Sequence, residues 1–302
     1  VLLVDKPSGM TSHDVVARVR RATGERRVGH AGTLDPMATG LLVVLVGPAT
    51  RLAPYMTAAE KTYLASVAFG AETDTDDAEG VVTRTADVPA QLADPEFAAE
   101  TVAALVGVHE QVPPIFSAIK KDGRTAHEMA RKGEAPVMDA RTIEVVRAHL
   151  AGVRHDDAAL IWDVELSVSK GTYVRALARD LGRDLGTAAH LGALRRTQSG
   201  AYSITDTLTL ESIEAAGAAG VEEVFADPVR GVGIDALELT DEGARKVAVG
   251  ARLVDEDFAP GSAPADRVAV THSGRLLAVY AREGSSMKAV VVIPDGVSGG
   301  RS

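Results

Sequence analysis

One carboxylate stands out by its surroundings. Asp35 lies in Gly29-His30-Ala31-Gly32-Thr33-Leu34-Asp35-Pro36-Met37-Ala38-Thr39-Gly40, a stretch too rich in glycine and proline for a regular helix or a central strand. The run Leu41 to Val46 follows at once, apolar on consecutive residues, as in a strand covered on both faces. An ordered loop is therefore expected to deliver an acid beside a buried strand, and loops on rigid scaffolds are where reactive side chains gather. Such a carboxylate is a candidate catalytic residue. A loop Asp also serves as a plain turn-former or helix cap.

The second candidate is Lys170-Gly171-Thr172-Tyr173-Val174-Arg175. Val174, Leu177, Ala178, Leu181 and Leu185 recur at helical spacing, so Arg175 falls in the first turn of a predicted helix. The macrodipole disfavours a cation there, which points to a carboxylate or phosphate partner, the alternative being an ordinary surface Arg. His30 taken alone reads as a loop or capping residue, and Tyr63 as a core aromatic with its hydroxyl at a surface. The glycines around Asp35 lack both the Gly-Lys-Ser/Thr ending of a phosphate loop and the Gly-x-Gly-x-x-Gly of a dinucleotide site. The sequence holds no His-x-x-x-His pair, no Gly-x-Ser-x-Gly elbow and no cysteine, so metal hydrolysis, serine-hydrolase and thiol chemistry lack their residues.

The elements that must position these groups can be read in order. Val1 to Val4 forms a predicted strand, and Lys6-Pro7-Ser8-Gly9 breaks it. Thr11 and Asp14 then make a capping-box pattern for a helix that stops near Gly24. Tyr63, Ala65, Val67 and Phe69 alternate along one strand face, followed by an acidic turn from Glu72 to Gly80. A helix is expected within 95–106, Pro113-Pro114 breaks the chain, and 120–134 reads as an exposed excursion with a short helix. Leu160 to Val168 is the clearest strand. After Asp227-Pro228 come short strands at Asp235–Leu239, Arg267–Thr271, Leu276–Tyr280 and Ala289–Ile293, the spacing of a small β-barrel. The class is α+β, and 302 residues suit about two domains.

Composition adds limits. The net charge is −10, with 46% hydrophobic and 25% charged residues, ordinary globular proportions. No run approaches a membrane span, and residues 1–20 lack the apolar core of a secretory leader; a cytoplasmic protein is expected. Charge is unevenly spread: 66–117 holds one basic and ten acidic side chains, 118–200 fourteen and eleven. A local basic patch, rather than the sum, decides phosphate binding.

Four motifs in order carry a resemblance: Asp5-Lys6-Pro7-Ser8-Gly9-Met10-Thr11-Ser12, the Gly29–Gly40 stretch, Lys61-Thr62-Tyr63 and Lys170–Arg175. The chain resembles the TruB family of pseudouridine synthases over about residues 1–200, with Pro113 to Lys120 extending the match. The resemblance implies a pseudouridine synthase fold, a mixed and largely antiparallel sheet flanked by helices and loops, over 1–229, with an RNA-binding insertion at about 119–147. It further implies a PUA-like barrel at 230–297, and 298–302 is expected to be a disordered tail. The implied reaction isomerises a uridine in the T-loop of tRNA, with no cofactor and no metal, on a base flipped from its stack. A monomer that needs no protein partner and no membrane is expected.

By motif position the resemblance makes Asp35 the catalytic carboxylate, Arg175 its guanidinium partner and Tyr63 the aromatic against the target base. His30 would stack into the T-loop, while Tyr173 and Leu194 would shape the pocket wall. Lys6 and Lys120 fall near the site, and Lys121, Arg124, Arg131 and Lys132 would meet RNA from the insertion. Phe116 stands where many relatives have Tyr. The acidic C-terminal region would contact phosphate mainly around Arg245, Lys246 and Arg252. Two other readings use the same residues: an RNA-binding tRNA-folding factor with idle catalytic groups, and the catalytic subunit of an RNA-guided particle.

Overall fold

A computed structural model describes every residue except 118, 122, 127–128, 130–133, 135–136, 157–158 and 300–302, with backbone alone at 120, 121, 125, 222 and 294. Residues 300–302 of the expected tail thus lie outside the described residues. The chain divides into two compact units, residues 1–59 with 198–302, and residues 60–197.

The first unit opens with β1 (Leu2–Lys6) and helix α1 (Ser12–Thr23). The capping box forms as its residue types dictate: Asp14 N–H donates to Thr11 Oγ1 at 3.1 Å and Thr11 N–H to Asp14 Oδ2 at 2.9 Å. Such a cap is worth about 1 kcal/mol. Gly24 closes the helix with φ +70° and an N–H bonded to Arg20 O. Val15, Val16 and Val19 face inward, and Arg18 grips Glu214 at 2.7 and 2.6 Å. Part of the glycine-rich stretch is strand after all: β2 (Val28–His30) pairs antiparallel with β3 (Thr39–Val46), whose other edge takes β1. With a neighbour on each edge and six buried residues in a row, β3 is the fully covered strand expected from its apolar run. Only residues 31–38 remain as the loop around Asp35. A short helix, α2 (Ala53–Ala58), ends this stretch.

The second unit is a sheet ordered β12-β4-β11-β10-β7. Its strands are β4 (Lys61–Phe69), β7 (Gly107–Gln111), β10 (Arg141–His155), β11 (Leu160–Val168) and β12 (Ala189–Ser199), whose last two residues pass into the first unit. The antiparallel register sets Tyr63 opposite Leu166. Trp162 is fully buried at the centre, its ring edge-on to Phe69 at 4.8 Å and its Nε1–H donating to Leu92 O at 2.8 Å. A ribbon of β5 (Ala71–Thr73) and β6 (Val82–Thr85) encloses the acidic turn. Helices α3 (Pro95–Ala103) and α4 (Val174–Asp184) complete the unit. In the basic excursion, β8 (Lys120–Lys121) and β9 (Arg124–Thr125) pair. Arg141 and Arg147 belong to β10, inside the sheet.

The chain returns to the first unit through β13 (Tyr202–Ser203), α5 (Leu210–Gly220) and α6 (Pro228–Val232). A Cβ on Gly231 would stand 2.4 Å from Tyr202 Oη, so only glycine fits there. The last strands form a four-stranded mixed sheet with α7 (Asp241–Ala248) beside it. In it β14 (Ala236–Glu238) runs parallel to β15 (Arg267–His272), while β16 (Arg275–Glu283) and β17 (Ser286–Val297) continue antiparallel. Both faces are covered. Val268, Val270, Ala278 and Tyr280 pack with Leu239, Val247 and Phe258; Ala269, Leu276, Val279 and Ile293 join the core of Leu3, Val43, Leu45 and Met56.

Candidate active site

The loop that bears Asp35 is pinned on both sides of that residue. Lys6, at the end of β1, is fully buried, and its ammonium donates to the carbonyls of Pro7, Pro36 and Ala38 at 2.9, 3.1 and 2.6 Å. Ser12, the first residue of α1, donates to Leu34 O at 3.0 Å and accepts from Leu34 N–H at 2.9 Å. Gly9 N–H donates to Pro36 O at 2.9 Å, and Ser8 Oγ to Met37 O at 3.2 Å. Leu34 and Ala38 are buried as anchors while Asp35 between them is half-buried. Gly32, at φ +96°, turns the chain where a larger residue would be strained. Asp35 is therefore a carboxylate on a fixed backbone, as a preorganised reactive group requires. At the edge of the same loop His30 is half-buried, its ring edge-on to His13 at 5.4 Å.

Tyr63 and Arg175 belong to the other unit. Tyr63 is buried on β4, one strand-face step from Lys61. Burial, with Arg196 and Lys170 nearby, lowers the Lys61 ammonium to about 8. Leu194 is buried on β12. Tyr173 is half-buried and precedes α4 without capping it by its side chain. Gln111 instead fixes the backbone of that residue: it accepts from Tyr173 N–H at 2.9 Å and donates to Tyr173 O at 3.1 Å.

Arg175 is buried in the first turn of α4. Its Nη1 donates to Thr75 O at 2.8 Å and lies 3.5 Å from Asp77 Oδ2, while Nη2 donates to Phe116 O at 3.1 Å. The cation at a helix N-terminus thus has a carboxylate partner in the acidic turn. The pattern repeats along the helix. Arg179 meets Asp76 at 2.8 Å, and Arg183 meets Glu72 at 3.0 and 2.7 Å. Arg183, then burial, then Arg84 act on Glu72, with a net fall in its carboxyl pKa. For Asp76 burial outweighs Arg179 and Arg175 and raises it. The turn is itself tight: Asp77 accepts from Thr75 Oγ1 at 2.6 Å and Glu79 N–H at 3.1 Å, and a Cβ on Gly80 would lie 2.2 Å from Thr75 Oγ1.

Sequence reasoning missed Gln111 and the roles of Glu72, Asp76 and Asp77. The available signal was Arg175, Arg179 and Arg183 at steps of four, set against a turn of like density in acid. Of the expected RNA-binding residues, Lys120 and Lys121 are described by backbone alone, and Arg131 and Lys132 lie outside the described residues. Arg124 is bonded to Glu134 at 3.0 and 2.8 Å. The C-terminal cations are also paired: Arg245 with Glu242 and Lys246 with Asp257, each at 2.7 Å, and Arg252 with Glu283.

The backbone matches one chain of a Cbf5–Nop10–Gar1 crystal structure with a TM-score of 0.69 at 24% identity, over 97% of this chain and 84% of that one. The fold is that of the pseudouridine synthases. The model of the TruB family pseudouridylate synthase N-terminal domain matches residues 20–174, and that of the tRNA pseudouridylate synthase B C-terminal domain matches 175–231. The tRNA pseudouridine synthase B of Leifsonia xyli is 43% identical over 97% of this chain and 96% of its own length. That of Thermobifida fusca is 50% identical over 71% of this chain and 74% of its own. The chain belongs to the TruB family.

Proposed function

We propose that the protein is a tRNA pseudouridine synthase that converts the T-loop uridine at position 55 to pseudouridine. The N1–C1′ bond breaks, the uracil turns over, C5 bonds to C1′ and the C5 proton is lost. N1 keeps the electron pair of the broken bond and takes up a proton as C5 gives one up, so substrate and product have the same composition. Asp35 acts at the ribose, as nucleophile or as base at C2′, and Arg175 keeps that carboxylate ionised and oriented. Tyr63 stacks on the detached uracil, a contact worth roughly 1–3 kcal/mol, and its hydroxyl serves the C5 proton transfer. His30 occupies the space in the T-loop vacated by the flipped base, and Tyr173 and Leu194 line the pocket wall. The basic excursion at 119–147 and a PUA-like barrel at 230–297 hold the rest of the RNA.

The observation that carries this reading is Asp35 itself, an acid at the family's motif position on a loop pinned by Lys6 and Ser12. Tritium release from C5-labelled uridine in a T-arm stem-loop, without guide RNA or partner protein, is the test. Release by the wild-type chain and none by Asp35→Asn is the expected result. Binding without release would leave an RNA-folding factor instead.

A further inference from the structure

Arg175 has a neighbour of the same build one turn further along α4. Each of the two guanidiniums spans the same pair of segments. Nη1 reaches the acidic turn: Arg175 to Thr75 O at 2.8 Å, Arg179 to Asp76 Oδ2 at 2.8 Å. Nη2 reaches the segment around Pro113-Pro114: Arg175 to Phe116 O at 3.1 Å, Arg179 to Val112 O at 2.8 Å. Arg175 is 5% exposed, Arg179 and Asp76 each 8%.

Asp76 is also held in an uncommon conformation. Its φ is +61°, a left-handed geometry that side chains other than glycine, asparagine and aspartate seldom adopt. The backbone is tied down on both sides, with Leu191 N–H donating to Asp76 O and Ala78 N–H to Leu191 O, both at 3.0 Å. A buried ion pair of this kind is often no more stabilising than apolar residues of the same volume. Its firm product is geometry: a fixed distance between the acidic turn, the helix and the 112–116 segment. The helix carries Arg175, and the other two segments supply acceptors to its guanidinium.

We propose that Asp76 and Arg179 are a positioning pair for Arg175. They hold Thr75 O and Phe116 O at the separation that clamps both Nη atoms, so that the reactive cation is aimed before substrate arrives. The proposal rests on the reading of Arg175 as part of the reaction. A misplacement of about 1 Å at a reacting group costs up to about a hundredfold in rate, which sets the scale to look for.

The test uses the full-length chain and the T-arm stem-loop, with single-turnover rate at saturating protein and Kd measured separately. Asp76→Asn removes the charge but keeps an acceptor for Arg179, and Asn tolerates the left-handed backbone, so the variant is expected to fold. Arg179→Lys keeps the charge but cannot reach Asp76 and Val112 O in one fixed fork. Both are expected to slow the chemical step by roughly tenfold or more with Kd within about twofold. In an Arg175→Ala background Asp76→Asn is expected to add nothing further, because the pair acts through Arg175.

Wild-type rates in both variants would overturn the proposal. So would a full multiplicative loss in the Arg175→Ala background, or a rise in Kd that matches the loss of rate, the mark of a merely structural role. If Arg175→Ala itself turns over at the wild-type rate, the functional reading of Arg175 fails and the pair's role falls with it. If Arg175→Ala is slow while Asp76→Asn is not, the positioning role alone fails.

Discussion

The Asp35 loop and the Arg175 helix fix their charged residues by opposite means. Around Asp35 the support is a buried lysine and a serine aimed at backbone atoms of residues 34, 36 and 38. Around Arg175 the support is a ladder of arginines and carboxylates along α4. Carbonyls do not titrate. A ladder of buried acids answers to pH. Asp35 is thus mounted on uncharged backbone acceptors, and Arg175 beside acids that titrate.

The largest effect expected on either side is that of Asp35→Asn. Turnover should drop by about a thousandfold or more, the scale set by losing a base or nucleophile, with stem-loop affinity within a few-fold. Because Lys6 and Ser12 hold backbone atoms of residues 34, 36 and 38, the loop should survive the substitution. Thermal denaturation close to wild type together with the lost tritium release would confirm that frame and acid are separate. Appreciable turnover would remove Asp35 from the reaction.

Lys6→Met attacks the frame instead. It takes the ammonium donor from the buried carbonyl of Ala38, while Pro36 O keeps Gly9 N–H, a penalty of about 1–3 kcal/mol for one buried acceptor left unsatisfied. Chemical denaturation should show that loss, and the rate should fall by roughly tenfold or more as Asp35 loses its fixed position. An unchanged rate in a destabilised protein would show that the loop is held by its other contacts.

The ladder is probed by pH. The carboxyl of Glu72 is depressed, chiefly by its bond to Arg183 and then by Arg84. A depressed acid contributes stability that is complete above its unfolded value, 4.5, and lost as pH falls through the folded one. Glu72→Gln should therefore be less stable than wild type near neutrality, with the gap closing on acidification. Asp76 has the other sign, since burial raises it above 3.8; its contribution is present below that value and lost as pH rises through the folded one. Denaturation midpoints of Glu72→Gln and Asp76→Asn against pH should hence trend in opposite directions relative to wild type. Parallel trends would mean that the two rungs share one environment.

This division also marks what could be read from residues alone. Local chemistry was legible: the Thr11–Asp14 box, the strand from Leu160 to Val168 and the helix beginning at Val174 lie where spacing put them. The Asp35 loop was legible as a loop, but its glycines hid β2, whose pairing with β3 is a tertiary choice. Long-range partners were not legible. Glu72 and Arg183 meet across more than a hundred residues, and no local pattern ties an acidic turn to one helix face. Strand β10 escaped for a different reason: bulges near Val145 and Leu150 break its alternation, so the two-residue period never builds up.

The smallest effect is expected in the C-terminal sheet, and it separates charge that is available from charge already spent. Arg245, Lys246 and Arg252 each carry a carboxylate partner, so releasing one to a phosphate means breaking an existing pair. Replacing Arg252 with Ala removes a cation that Glu283 already occupies, and Glu283 keeps Lys288 as a partner at 3.5 Å. Full-length tRNA affinity should change by less than about twofold, and the slope of log affinity against log salt should stay the same, where a true phosphate contact would lower it by about 0.7–0.9. Point substitution is the right probe because Ala269, Leu276, Val279 and Ile293 share a core with Val43 and Leu45, so deletion of the sheet would expose that core and confound binding with unfolding. A measurable drop in slope would show that Arg252 exchanges Glu283 for phosphate when RNA binds, and would turn the C-terminal sheet from a neutralised surface into a working one.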